Sequence, residues 1–220
     1  KNKGDLVAAI DSYKQVLKIK PDYAEAHNNM GIALNDKGEL GLAIDSYQQA
    51  IKIKPDYAEA HNNMGIALND KGELELAIDS FKQALKIKPD LAMSYNNIGN
   101  ALKDKGDLDA AINSYEQALK IKPDYADAYS NMGIALNDKG DLEASIESYK
   151  NAIKIKPDDA EVYNNMGFAL SGAEFTKQNS GLMEIIVSLL DQRTSCRPRV
   201  IAQAAISLLK LEPTLKELLE

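Results

Sequence analysis

The strongest constraint on this chain is a proline that returns at a fixed interval of 34 residues. The five prolines that mark this interval, each followed by aspartate, are Pro21, Pro55, Pro89, Pro123 and Pro157. The sequence between them nearly repeats itself, since residues 24–57 and 58–91 are identical at 29 of 34 positions. A period of about 20–50 residues marks an array of similar units, each of which buries its apolar surface against its neighbours. The sequence therefore predicts a stack of repeated units.

Two apolar faces recur in each unit at helical spacing. In residues 24–57 the first face consists of Ala26, Met30, Ala33 and Leu34. The second face consists of Leu40, Ala43, Ile44, Tyr47, Ala50 and Ile51. Apolar residues that recur every three or four positions lie on one side of an α-helix. Each unit is therefore predicted to be a pair of helices that stacks on the next pair.

The residues around these faces predict where each helix begins and ends. The segment 35–38 ends the first helix, and Gly38 suits the left-handed position that follows a helix C-terminus. Pro55 ends the second helix, and Asp56 is placed to cap the first helix of the next unit. Gly31 is small where the two helices should cross closely.

This pattern resembles the tetratricopeptide repeat family, whose 34-residue signature runs aromatic, Leu-Gly, a large residue, Ala, aromatic and Pro. In residues 24–57 those places are held by His27, Met30-Gly31, Leu34, Ala43, Tyr47 and Pro55. In residues 58–91 they are held by His61, Met64-Gly65, Leu68, Ala77, Phe81 and Pro89. The resemblance covers residues 1–170. It implies an all-α fold, a right-handed superhelical solenoid of antiparallel helical hairpins.

The resemblance also divides the chain. It predicts a half repeat at 1–23, full repeats at 24–57, 58–91, 92–125 and 126–159, and the first helix of a sixth repeat at 160–171. The pattern breaks after Leu170, and residues 172–220 form a separate helical segment that is interpreted as a divergent cap of the solenoid or as a linker to another domain. The chain lacks an initiator Met and begins in mid-pattern, so we expect it to be a fragment of a longer protein.

Asparagine holds the two adjacent positions before the Met-Gly or Ile-Gly of each first helix, except that Ser130 holds one of them. These residues are Asn28, Asn29, Asn62, Asn63, Asn96, Asn97, Asn131, Asn164 and Asn165. The resemblance implies that they line a concave groove, and the row is similar to the asparagine ladder of O-linked N-acetylglucosamine transferases. An asparagine amide both donates and accepts, so a row of them can bind the backbone of an extended peptide. Alternatively, the row only satisfies neighbouring helix termini or solvent.

Charge narrows the class of partner. The formal net charge is −7, which disfavours nucleic acid as a ligand. Acidic residues such as Glu25 and Asp36 open and close the first helices, so we expect a neutral or basic protein or peptide as partner. The lysine pairs that recur before each proline, such as Lys52 and Lys54, are interpreted as complements to the helix dipole.

No arrangement of residues in this sequence predicts an enzyme, a metal site or a cofactor. His27 and His61 replace tyrosines of other repeats and are interpreted as packing residues, while Cys196 stands alone. We find no apolar stretch near the roughly 20 residues of a membrane helix, so we expect no membrane contact. A single cysteine and no visible signal peptide favour a cytoplasmic location.

Three functions remain open at the level of sequence. The first is a protein-interaction scaffold that binds an extended peptide or partner protein in the concave groove. The second is a non-catalytic substrate-docking region of a larger transferase-type enzyme. The third is self-assembly through exposed solenoid ends, because the half repeat is predicted to expose Leu6, Ala9, Ile10, Tyr13 and Leu17.

Overall fold

The computed structural model describes residues 3–171, and this part of the chain is helical throughout, without a strand. Its helices are α1 (Lys3–Ile19), α2 (Ala24–Asp36), α3 (Leu40–Ile53), α4 (Ala58–Asp70), α5 (Leu74–Ile87), α6 (Ala92–Asp104), α7 (Leu108–Ile121), α8 (Ala126–Lys139), α9 (Leu142–Ile155) and α10 (Ala160–Ser171). The all-α prediction is confirmed. The predicted cap or linker at 172–220, which includes Cys196, lies outside the described residues.

The helices associate as consecutive hairpins. By its contacts the chain divides into two compact units, residues 1–122 and 123–220. In the first unit α2 packs on α3, α4 on α5 and α6 on α7, and each hairpin contacts the next. The first helices α2, α4 and α6 also contact one another in sequence. In the second unit α9 packs on both α8 and α10, and α8 contacts α10. This is the solenoid packing that the period predicts.

Each hairpin is locked by an aromatic ring against a glycine. A Cβ atom added at Gly31 would lie 2.6 Å from the ring of Tyr47. The same clash arises between Gly65 and the ring of Phe81, at 2.5 Å. Only glycine leaves room for the aromatic ring at this position. The two helices therefore approach closely only where the first helix has no side chain. The predicted close crossing at Gly31 is confirmed.

Of the two predictions for the turns, the one for Gly38 is confirmed and the one for Asp56 is wrong. Gly38 has a φ angle of +85°, in the left-handed region, so its predicted role after the first helix is confirmed. The prediction that Asp56 caps α4 was wrong. The N-cap residue is Tyr57, which makes no side-chain cap, and Asp56 gives only its backbone carbonyl, to Ala58 N at 3.2 Å. Asp56 lies one residue too early for its carboxylate to act as an N-cap.

Helix α1 buries part of the face that was predicted to be exposed. Leu6 and Ile10 are buried, and Ile10 belongs to a core cluster with Leu34, Ala43 and Ile44. Ala9, Tyr13 and Leu17 are half-buried. The prediction of an exposed face was therefore wrong for Leu6 and Ile10, because α1 packs on α2 as α3 packs on α4.

Candidate functional site

The first-helix face, formed by α2, α4 and α6 in the first unit, carries the predicted asparagine row. The structure separates the two asparagines of each pair. Asn28, Asn62 and Asn96 are buried, with Asn62 only 1% exposed. Their neighbours are more open: Asn29 is exposed, and Asn63 and Asn97 are half-buried. In the second unit, Asn131 and Asn165 are half-buried and Asn164 is exposed.

Hydrogen bonds join the asparagines of successive first helices. The Nδ2 group of Asn63 donates to Oδ1 of Asn28 at 3.0 Å, and Nδ2 of Asn97 donates to Oδ1 of Asn62 at 3.2 Å. The buried oxygens are therefore satisfied, which removes the cost of placing an amide in the interior. An asparagine amide has two donor hydrogens and two acceptor lone pairs. The bond to the first helix of the preceding repeat uses one of these donor hydrogens and fixes the orientation of the Asn63 and Asn97 side chains.

Helix α6 adds polar contacts that sequence reasoning missed. The hydroxyl of Ser94 donates to Asn62 Oδ1 at 2.9 Å, so this oxygen accepts from two groups of α6. The hydroxyl of Tyr115 donates to Asn100 Oδ1 at 2.8 Å. The signal was present in the alignment of the repeats, because Ser94 stands where α2 and α4 have alanine and Asn100 stands where they have isoleucine.

Lysines partly neutralise the acidic residues that open the first helices. Lys54 lies 4.0 Å from Glu25, and Lys88 lies 3.8 Å from Glu59. Each pair joins the end of a second helix to the start of the first helix in the same repeat. In the second unit a 2.6 Å hydrogen bond to Asp127 raises the pKa of Lys156. These side chains are about half exposed, so each pair stabilises the fold only weakly.

The two histidines hold the turns that precede their helices. His27 Nε2 lies 2.9 Å from the carbonyl oxygen of Pro21, and His61 Nε2 lies 3.2 Å from that of Pro55. A carbonyl oxygen only accepts, so Nε2 is the donor in both bonds. Both rings therefore tie the start of a first helix to the preceding turn. Within residues 3–171, no group of three or more His, Cys, Asp or Glu side chains is placed to hold a metal ion.

Two equivalent notches lie between successive second helices, on a surface that sequence reasoning did not single out. The first notch, about 380 Å³, lies between α1 and α3, and its lining includes Met30, Leu34, Leu42 and Asp45. The second notch, about 430 Å³, lies between α3 and α5, and its lining includes Met64, Leu68, Leu76 and Asp79. The lining residues of the two notches correspond at a spacing of 34. The repeat therefore reproduces a pocket on the second-helix face as well as its core.

Three tyrosines of the described region whose pKa values are strongly raised belong to the core of the hairpins. Burial raises the pKa of Tyr149 to about 12, with smaller effects from Ser145 and Asp138. Burial also raises the pKa values of Tyr47 and Tyr115. Each of these rings lies against the glycine of its own hairpin, so the shifts report close packing and not a reactive group. No helix within residues 3–171 combines the length and apolar character that crossing a lipid bilayer requires.

Comparisons with known proteins agree with this geometry. A sequence profile described as "TPR repeat" matches residues 2–36, 33–70, 67–106, 99–137 and 134–172. The solved structure of MamA is 31% identical over 72% of this chain and 93% of its own, with a TM-score of 0.64. No curated protein sequence matches significantly.

More distant structures share the fold alone. TTC0263, a thermophilic TPR protein of Thermus thermophilus, is 23% identical over 76% of this chain and 91% of its own, with a TM-score of 0.65. YrrB, described as a TPR protein with an unusual peptide-binding site, is 17% identical over 89% of this chain and 98% of its own, also with a TM-score of 0.65.

Proposed function

The chain belongs to the tetratricopeptide repeat family, and we propose that it is a scaffold whose first-helix face binds an extended segment of a partner protein. Repeat arrays of this family serve in general as protein-interaction scaffolds, because stacked hairpins present a long continuous surface. The finer statement, that the ligand is an extended peptide held by asparagines, is our proposal.

One observation carries this proposal: the asparagine amides are linked from one first helix to the next. Asn63 is fixed by Asn28, and Asn97 is fixed by Asn62. A fixed amide loses little conformational entropy when a ligand binds, so its remaining donor and acceptor positions contribute more to affinity. The buried members of the row position the half-buried members, which face the ligand together with Asn29.

The spacing of the row matches an extended peptide. Neighbouring packed helices lie about 8–10 Å apart, and an extended chain rises about 3.3 Å per residue. Successive asparagines therefore meet a bound peptide once in about three residues. Bonds to the peptide backbone at this interval give affinity with little selection among side chains.

The charges near the row favour a neutral or basic ligand. Asp70 ends α4, whereas Glu25 and Glu59 at the starts of α2 and α4 are offset by Lys54 and Lys88. The side of the row near the helix C-termini is therefore the more acidic one. A peptide with a basic residue on that side gains a favourable contact.

A pair of matched variants tests the proposal. The first variant, Asn29→Ala/Asn63→Ala/Asn97→Ala, removes three amides from the first-helix face. The second, Gln49→Ala/Gln83→Ala/Gln117→Ala, removes three amides from the second helices of the same repeats. We expect partners captured from a cell lysate by the wild type to be lost from the first variant and retained by the second. The binding of synthetic peptides from the captured partners is then measured by fluorescence anisotropy.

Stability must be measured beside binding. Replacing Asn63 leaves the buried Oδ1 of Asn28 without its donor, which costs about 1–3 kcal/mol. Circular dichroism and thermal unfolding show whether the first variant is still folded at the temperature of the assay. Asn29→Ala, at an exposed position, provides a milder variant. Equal capture by wild type and by a folded triple variant would mean that the row is purely structural.

A further inference from the structure

The two notches on the second-helix face carry a net negative charge. At the first notch Lys37 pairs with Glu39 at 2.7 Å and Lys14 pairs with Asp11 at 3.7 Å, which leaves the exposed Asp45 carboxylate. The second notch repeats the arrangement, with Lys71 and Glu73 paired at 2.7 Å beside the exposed Asp79. Within residues 3–171, neither Asp45 nor Asp79 forms an ion pair.

The walls of the notches are apolar and partly open to solvent. Leu42 and Leu76, one at each notch, are both 54% exposed, although leucine gains free energy when it is buried. Volumes near 400 Å³ lie at the low end of the range for ligand pockets, about 300–1,000 Å³. Each notch therefore suits one or a few side chains that combine an apolar body with a positive charge.

The same chain presents side chains of this chemistry at the opposite ends of its second helices. A Lys-Ile-Lys sequence ends each of α1, α3, α5 and α7, with its isoleucine at Ile19, Ile53, Ile87 and Ile121. These isoleucines are exposed by 37% or more of their surface. The first lysines of the triplets, such as Lys52 and Lys86, are exposed as well.

The notches form one row and the Lys-Ile-Lys segments form another. The two rows share a period of 34 residues because one repeat generates both. Leu42 and Asp45 lie near the start of α3, and Ile53 is its last residue. At 1.5 Å per residue the rows are about 16 Å apart along the helix, so one copy presents both at once, on opposite edges. From these observations we propose that the notches bind the Lys-Ile-Lys segments of a second copy of this chain.

In this contact the isoleucines of one copy lie against Leu42 and Leu76 of the other, and the lysines lie beside Asp45 and Asp79. The contact is heterologous, so a third copy can add to the free edge. It buries few side chains and joins exposed charges, so the association is weak and weakens further with salt. The contact leaves the asparagine row on the first-helix face accessible.

The repeat at 92–125 provides a natural control. It carries Ala110 and Asn113 where the two notches have leucine and aspartate. The variant Leu42→Ala/Asp45→Asn/Leu76→Ala/Asp79→Asn therefore introduces only residues that this fold already accepts at equivalent positions. A second variant, Lys18→Glu/Lys52→Glu/Lys86→Glu/Lys120→Glu, places a negative charge at the first lysine of all four segments, at exposed sites.

Sedimentation velocity over a series of concentrations tests the proposal. We expect the wild type to self-associate and each variant to show a dissociation constant raised by at least about tenfold. A mixture of the two variants keeps one intact notch row and one intact segment row. The mixture should therefore form a one-to-one complex and nothing larger, because both remaining edges are disabled.

Two results would overturn the proposal. One is a wild type that stays monomeric up to the highest concentration at which it is soluble. A monomeric wild type whose notches bind a synthetic peptide Lys-Ile-Lys-Pro-Asp-Tyr from solution would overturn the proposal as well. That case would assign them to a basic segment of another protein. The other is self-association that both variants retain. The triple asparagine variant should self-associate like the wild type, which separates this proposal from peptide binding on the first-helix face.

Discussion

The hairpins α4–α5 and α6–α7 are neighbouring copies of one repeat, and they differ in their polar contacts but not in their packing. In both, an aromatic ring of the second helix lies against a glycine of the first: Phe81 against Gly65, and Tyr115 against Gly99. The alanines that surround the rings, such as Ala84 and Ala118, are fully buried in both. What the two hairpins share is therefore the packing of a large ring into the space that a glycine and small alanines leave.

The polar groups tell the two hairpins apart. Tyr115 has a hydroxyl, which donates to Asn100, whereas Phe81 has none and Ile66 holds the position in α4 that is equivalent to Asn100. Ser94 of α6 donates to Asn62 of α4, but α4 has Ala60 at that place. The difference shows that polar contacts can change between repeats while the packing of ring on glycine stays constant. The predictions below test that separation.

The largest effect is expected from removing the ring. Phe81→Ala and Tyr115→Ala should each lower the free energy of unfolding by about 3–5 kcal/mol, because each leaves a cavity at the centre of a hairpin. Urea unfolding followed by circular dichroism measures both. If the two losses differ by more than the single hydrogen bond of Tyr115 explains, the shared-packing interpretation fails.

The glycine side of the same contact should be nearly as sensitive. Gly65→Ala and Gly99→Ala are expected to destabilise the chain by about 1–3 kcal/mol, since overpacking outweighs the helix propensity of alanine. Gly41→Ala is the matched control. Gly41 lies in α3 with no atom near the place of a Cβ, so its replacement should stabilise by about 0.5–1 kcal/mol. Thermal unfolding of the three variants decides the sign of each change.

Alkaline pH should distinguish the two rings. Burial raises the pKa of Tyr115, so above pH ~10 the unfolded chain releases this proton while the folded chain keeps it. Stability therefore falls as pH rises, by up to about 1.4 kcal/mol per pH unit for each such tyrosine. Tyr115→Phe makes the hairpin resemble α4–α5 and should reduce this slope. Urea unfolding at pH 9 and 11 provides the measurement, and equal slopes would count against burial as the cause.

The smallest effect is expected from the hydroxyl itself at neutral pH. Tyr115→Phe should cost about 0.5–1.5 kcal/mol, because its bond to Asn100 is lost. The double variant Tyr115→Phe/Asn100→Ile installs the pair that α4–α5 already uses and should recover most of that loss. A double-mutant cycle measures the coupling between the two side chains. Simple additivity of the two single changes would show that the bond contributes nothing.

The sequence predicted much of the fold because the repeat supplies the same signal several times. Helical spacing, Gly38 and Pro55 predicted the helix ends, and the structure places α2 and α3 accordingly. Asp56 was assigned a capping role from its residue type alone. Its actual role depends on the turn geometry, which places the helix start one residue later.

The candidate site was less predictable. The sequence identified the asparagine row, but it did not show that Asn28 and Asn62 are buried while Asn63 and Asn97 are more open. Adjacent residues on a helix point about 100° apart, so a small rotation of the helix decides which of the two enters the interior. That rotation depends on the neighbouring hairpin, which no local pattern encodes.

The sequence by itself determined the unit, two helices with a glycine at their crossing and a proline at their end, and the order in which the units follow. Only the tertiary structure decided which polar groups meet across units, such as Asn63 with Asn28, and where second helices leave notches between them. The physical reason is the distance along the sequence over which each interaction acts. Helix formation and helix ends depend on residues within a few positions, whereas these contacts join residues about one repeat apart, which meet only after the hairpins have stacked.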